Sequence, residues 1–133
     1  MSTERPLVRV GVDIVNVDEV QEGIDSFGDR YLGRIFTAHE LDCATGDAST
    51  RARSLAARFA AKEATLKVLH TQDAQPDWRS IEVRRTPGGW CEINLTGLAA
   101  SLALSEHIQA LDLSMSHDGS TAVAVVVAAC VGG

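Results

Sequence analysis

Residues 58–67 read Arg-Phe-Ala-Ala-Lys-Glu-Ala-Thr-Leu-Lys. This run of good helix formers nevertheless sets a carboxylate inside an apolar stripe. Leu55, Phe59, Leu66 and Leu69 recur at helical spacing, and Glu63 falls four residues after Phe59 and three before Leu66. A charge so placed must be paired, hold a cation, or cost on the order of several kcal/mol. A second inward-looking acid lies near the N-terminus. Residues 7–17 alternate Val8, Val10, Val12 and Ile14 with Arg9, Gly11, Asp13 and Val15, the period of a strand. Two carboxylates brought together from distant segments suit a hard cation, and a hard-cation site points to phosphate chemistry.

The rest of the chain reads as helices and hairpins. Residues 18–32 form a weakly amphipathic helix through Val20, Ile24, Phe27 and Tyr31, although Gly23 and Gly28 weaken it. Thr37 and Glu40 have the spacing of a capping box, which predicts a short helix to about Ala44. A polar loop over 46–50 precedes the main helix, 51–70, and a linker over 71–77 carries Pro76. Strands are predicted over 80–86 and 90–95 around Pro87-Gly88-Gly89. Thr96 then caps a helix to about His107. A final hairpin pairs 110–116 with 121–129 across His117-Asp118-Gly119-Ser120. One strand, helices, then two hairpins around a helix predict an α+β domain spanning 1–133, with a mainly antiparallel sheet and a long helix.

Charge narrows the choice of partners. The net charge of −6 argues against a general nucleic-acid binder. Residues 1–50 carry four arginines against ten acids, whereas 51–133 carry eight bases against eight acids. The excess negative charge therefore sits in the first third. Cys43, Cys91 and Cys130 are odd in number and widely spaced, which fits reduced thiols in the cytoplasm. The first residues have no signal-peptide pattern. The longest apolar run, 122–131, is too short for a membrane helix, which needs about 20 residues, and reads as a buried strand.

Each motif alone has an ordinary explanation. Glu63 and Lys67 suit a surface i,i+4 ion pair. Ser116-His117-Asp118-Gly119 suits a hairpin turn, and three neighbours on one strand end cannot converge as a hydrolase triad. Together they carry more weight. Gly11-Val12-Asp13-Ile14-Val15 on a strand, the 58–67 helix and Ser114-Met115-Ser116-His117-Asp118 at a late hairpin resemble the holo-acyl-carrier-protein synthase family, the small 4′-phosphopantetheinyl transferases. The resemblance extends to Arg34-Ile35-Phe36-Thr37 with Glu40, to residues 78–83 and to the last Ala/Val-rich strand, and so spans the chain.

The resemblance implies a 4′-phosphopantetheinyl transferase-like fold and transfer of the phosphopantetheine arm of coenzyme A to a serine of an apo acyl carrier protein. Adenosine 3′,5′-bisphosphate would be released, and the setting would be fatty-acid, lipid or polyketide biosynthesis. It implies Mg²⁺ held by Asp13 and Glu63, with Glu63 as ligand, base or both, taking the serine proton directly or through a metal-bound water. Catalytic help would come from Lys62 and Lys67, the only lysines in the chain. Coenzyme contacts would come from Arg58, Lys62, Lys67, Ser116 and His117, with Asp118 as support and Arg51 and Arg53 available to the 3′-phosphate. It also implies a homotrimer with sites at subunit interfaces.

One departure bears on the partner. The segment after the first strand, which in this family presents basic residues to an acidic carrier, here holds Asp18, Glu19, Glu22, Asp25 and Asp29, with Arg30 and Arg34 following. That pattern favours a dedicated, less acidic carrier. The competing expectation is a catalytically weak homologue that binds carrier or coenzyme without turnover.

Overall fold

The computed structural model describes residues 7–71 and 75–131. Residues 72–74 of the 71–77 linker lie outside the described residues. The elements run β1 (Leu7–Asn16), α1 (Val17–Phe27), α2 (Asp29–Ile35), α3 (Ala38–Cys43) and α4 (Ala48–Leu69). After a 3-10 turn at Trp78–Ser80 come β2 (Ile81–Arg85), β3 (Cys91–Leu95), α5 (Gly97–Ser105), β4 (Ile108–Asp118) and β5 (Thr121–Cys130). Every strand pair is antiparallel. The larger sheet has the order β1-β5-β4, and β2 and β3 form a separate ribbon.

The apolar run near the C-terminus is the central strand of the larger sheet, as a run without polar alternation predicts. Its inner face, Ala122, Ala124, Val126, Ala128 and Cys130, is buried. Helix α4 packs on that face against β1 and β5 and touches α1, β2 and α5 on its other sides. It is therefore a central helix, buried around most of its girth. Ala56, Ala57, Ala60, Ala61 and Ala64 bring its backbone close to the sheet. The closest approach is at Gly11, where a Cβ would collide with the backbone carbonyl of Ala64. A glycine there is what lets β1 lie flat against the helix.

Several boundaries differ from the sequence reading, each for a local reason. The predicted 18–32 helix is two helices. Gly28 adopts φ 56°, ends α1 with its N–H on the Ile24 carbonyl, and redirects the chain into α2. The main helix starts earlier, at Ala48, because Asp47 caps it by accepting the Thr50 N–H. The Thr37–Glu40 capping box is formed in both directions. Thr96 stands at the N-cap of α5 but makes no side-chain cap bond. The last turn is tighter than expected, with His117 and Asp118 still paired to Ala122 and Thr121, leaving Gly119-Ser120 as the turn.

Replacing Gly11 with Ala must push β1 off α4. The expected cost is about 1–3 kcal/mol in denaturant unfolding, the usual penalty for overpacking. A variant as stable as the parent would show that the strand and helix have room to spare.

Candidate active site

Asp13 and Glu63 meet where β1 crosses α4. On β1, the residues at 9, 11, 13 and 15 face the helix, so strand alternation turns Asp13 inward. Its side chain is 15 % exposed, and its Oδ2 is buried with no hydrogen-bond partner. The Glu63 carboxyl is close enough to interact with it. Burial first, and the Asp13 carboxylate second, push the Glu63 carboxyl up to about 7, against a smaller downward pull from Lys67. Lys67, one turn further along α4, donates to the Val12 carbonyl at 2.6 Å and stands 3.4 Å from Asp13 Oδ1. It bridges strand and helix at the rim, 55 % exposed, and only partly offsets two adjacent acids.

An orphaned carboxylate oxygen beside a second carboxylate is a donor set for a hard divalent cation with most of its water shell retained. Among the described residues no group of three or more His, Cys, Asp or Glu side chains could form a closed metal cage.

Arg58, Ser116 and His117 come together elsewhere. With Thr50, Arg53, Ser54, Ala57 and Met115 they line a cavity of about 290 Å³ between the first turns of α4 and the end of β4. Arg58 is 5 % exposed. Its Nη1 donates to Ser54 Oγ at 2.6 Å, while its Nε is buried without a partner. A buried guanidinium with a spare donor can receive an anion. Arg53 reaches the rim and is steered by Ser49 Oγ at 2.6 Å. Neither Arg51 nor Asp118 lines this cavity. Thr50 and Ser54, which the motifs do not single out, do line it. Their signal is spacing, since Ser54 lies four residues before Arg58 and so one turn away.

These are two half-sites on one helix. From Arg58 to Glu63 is roughly 7.5 Å along the axis and roughly 140° around it. Asp13 lies on one edge strand of the sheet and His117 on the other, with β5 between.

Lys62 corrects the sequence reading. The resemblance assigns it to catalysis and coenzyme binding, yet it is fully buried. Its Nζ sits 2.8 Å from Glu40 Oε1 and donates to the carbonyls of Trp78 (3.0 Å) and Ile81 (2.5 Å). Burial pushes its pKa down, and Glu40 opposes that shift. With all three ammonium protons committed inside the core, it has none for a phosphate.

The Glu63 shift makes stability depend on pH. The folded chain holds a proton that the unfolded chain releases near 4.5. Metal-free protein should therefore lose stability as pH rises from about 4.5 to about 7. Glu63→Gln should flatten that slope and raise the melting temperature at pH 8. A calorimetric series that rises through this range would contradict the buried-acid arrangement.

Comparison with known proteins agrees with this geometry. The sequence model of the 4′-phosphopantetheinyl transferase superfamily matches residues 9–126. The holo-[acyl-carrier-protein] synthase of Desulforudis audaxviator is 38% identical over 122 residues, 92% of each chain. That of Koribacter versatilis is 39% identical over 122 residues, 91% of this chain and 97% of its own. Among solved structures, the Helicobacter pylori holo-[acyl-carrier-protein] synthase in complex with coenzyme A superposes with a TM-score of 0.77 at 29% identity. It covers 90% of this chain and 99% of its own. With a matching family sequence, a matching fold and two carboxylates meeting at the strand–helix crossing, the chain belongs to the 4′-phosphopantetheinyl transferase superfamily.

Proposed function

We propose that this enzyme transfers the 4′-phosphopantetheine arm of coenzyme A to a serine hydroxyl of an apo acyl carrier protein, with Mg²⁺ required and adenosine 3′,5′-bisphosphate released. The observation that carries the reading is the unpartnered Asp13 Oδ2 beside a Glu63 carboxyl held near 7. Bound Mg²⁺ would neutralise charge on the pyrophosphate oxygens. The serine oxygen forms a bond to the phosphorus that carries the pantetheine arm, and the bond from that phosphorus to the bridging oxygen breaks. Glu63 is the carboxylate placed to take the serine proton. Lys67, already at the rim beside Asp13, balances negative charge on the leaving bisphosphate. Arg58, with its spare Nε–H, Arg53, Ser116 and His117 bind the nucleotide end of the coenzyme in the second half-site.

The sheet's outer face supports assembly as a homotrimer. Val8, Val10, Val12 and Ile14 on β1 are 64%, 65%, 49% and 67% exposed. Their register partners on β5 are Ala129, Val127, Val125 and Val123. A contiguous apolar face of this kind on a soluble chain marks an interface. Packing copies through it would set one chain's Asp13 and Glu63 beside a neighbour's Arg58 and His117. Val10→Glu should give a monomer by light scattering that keeps its helix content but loses transfer activity. A monomer as active as the parent would mean that each chain completes its own site.

The carrier meets a surface of mixed sign. The α1 acids Asp18, Glu19, Glu22 and Asp25 are exposed. Beyond them Phe27, Arg30, Tyr31 and Arg34 line a cavity of about 320 Å³. Such a surface favours a carrier less acidic than usual, with an apolar side chain for the Phe27–Tyr31 cavity.

Intact-mass analysis tests the whole reading. Apo carriers of differing charge are incubated with the enzyme, coenzyme A and Mg²⁺ at low and high salt. The expected result is a gain of one phosphopantetheine arm, abolished by chelator and reduced at least about 100-fold in Asp13→Asn and Glu63→Gln. High salt should slow modification of the less acidic carriers little. Coenzyme A binding without mass gain on any carrier would favour the non-catalytic homologue instead.

A further inference from the structure

The buried pair Glu40–Lys62 has no role in the half-sites above, yet its environment is unusually complete. Both side chains are fully buried. Glu40 Oε1 accepts the Thr37 N–H at 2.9 Å and faces Lys62 Nζ at 2.8 Å, and Oε2 accepts the Val83 N–H at 2.8 Å. Lys62 adds the Trp78 and Ile81 carbonyls, and its ammonium lies 5.8 Å from the centre of the Phe36 ring. One turn of α4 is thereby tied to α3, to the 3-10 turn and to β2. That turn also carries Glu63.

We infer that Glu40 and Lys62 are positioning residues for Glu63, setting the roll of α4 so that the Glu63 carboxyl meets Asp13. This rests on the reading that Asp13 and Glu63 hold a divalent cation. The sheet-facing side of α4 is largely alanine, including Ala60, Ala61 and Ala64. Small side chains allow close approach but interlock weakly, so they leave rotation about the helix axis poorly specified. A roll of about 20° moves a group at the helix surface by about 2 Å. Such a shift would pull one carboxyl away from an ion held by both, and misplacement of about 1 Å can cost roughly 100-fold in rate. Directional bonds at Lys62 remove the freedom, and Gly11 against the Ala64 carbonyl fixes the other side. A buried ion pair gains little stability over apolar packing of the same volume, whereas a geometric role explains its full set of bonds.

The test compares the parent with the double variant Glu40→Leu/Lys62→Met, which fills similar space without charge, and with Glu40→Gln, which keeps a hydrogen-bond acceptor. Mn²⁺ alone is titrated and read by electron paramagnetic resonance, and kcat and KM for coenzyme A are measured separately. The double variant should fold with a lowered melting temperature, because the Thr37 and Val83 N–H groups lose their acceptor. Its Mn²⁺ Kd should rise about 10- to 100-fold, as for loss of groups that orient metal ligands. Its kcat should fall at least about tenfold while KM stays within about twofold, with Glu40→Gln intermediate. Parental Mn²⁺ affinity and kcat in a folded double variant would overturn the inference. So would a raised KM with kcat and Mn²⁺ binding intact, which would put Lys62 on the coenzyme. If the double variant does not fold, Glu40→Gln decides on the same readouts. Asp13→Asn, titrated alongside, separates the two levels: parental Mn²⁺ binding there would overturn the cation reading and this inference with it.

Discussion

Everything in this molecule is arranged around the close contact between α4 and the inner face of the sheet. The contact is made by alanines on the helix, by alternate small residues on β5 and by Gly11 on β1. Removing side-chain bulk lets a helix backbone lie almost against a strand, and that is how Asp13 on β1 comes within reach of Glu63 on α4. Larger residues at Gly11 or Ala64 would hold the two carboxylates apart, and a pair of separated acids would be ordinary surface charge.

That contact also explains why α4 tolerates so many charged residues in a buried setting. Arg58, Lys62 and Glu63 lie within six residues, all wholly or partly buried, and each faces a different environment. Arg58 turns to the cavity by β4 with one donor free. Lys62 turns into the core and is saturated. Glu63 turns to β1 and is left beside a like charge. Saturated buried charges build structure, and unsatisfied ones mark places where a ligand would lower the free energy. By that criterion the Asp13 oxygen and the Arg58 nitrogen stand out, one suited to a cation and the other to an anion. Coenzyme A with a divalent metal presents both.

A single chain leaves its apolar outer sheet face in water and divides its polar groups between two edges of the sheet. The pair of features makes sense if neighbouring copies cover the first and join the second. The same strand carries both features, since alternation sends Asp13 inward to the helix and Val10, Val12 and Ile14 outward.

Much of this was legible in the chain itself. Periodicity placed the strands and the main helix, because a period of two or 3.6 is a direct consequence of backbone geometry. The capping box at Thr37–Glu40 and the partial burial of Asp13 and Glu63 followed from residue type and spacing, which act locally. The helix break at Gly28 was signalled only weakly, since a glycine permits a positive φ without requiring it. The role of Lys62 was not legible at all. Lys62 and Lys67 look alike in sequence, and both stand beside the same glutamate. What separates them is that Glu40 and the Trp78 and Ile81 carbonyls are waiting inside the core for one, while the other meets strand and solvent. Sequence determined which residues face one side of each element, because that is set within a few peptide units. Tertiary structure alone decided which charges were satisfied and which were left open, because partners 16 to 55 residues away are brought together only when the elements pack.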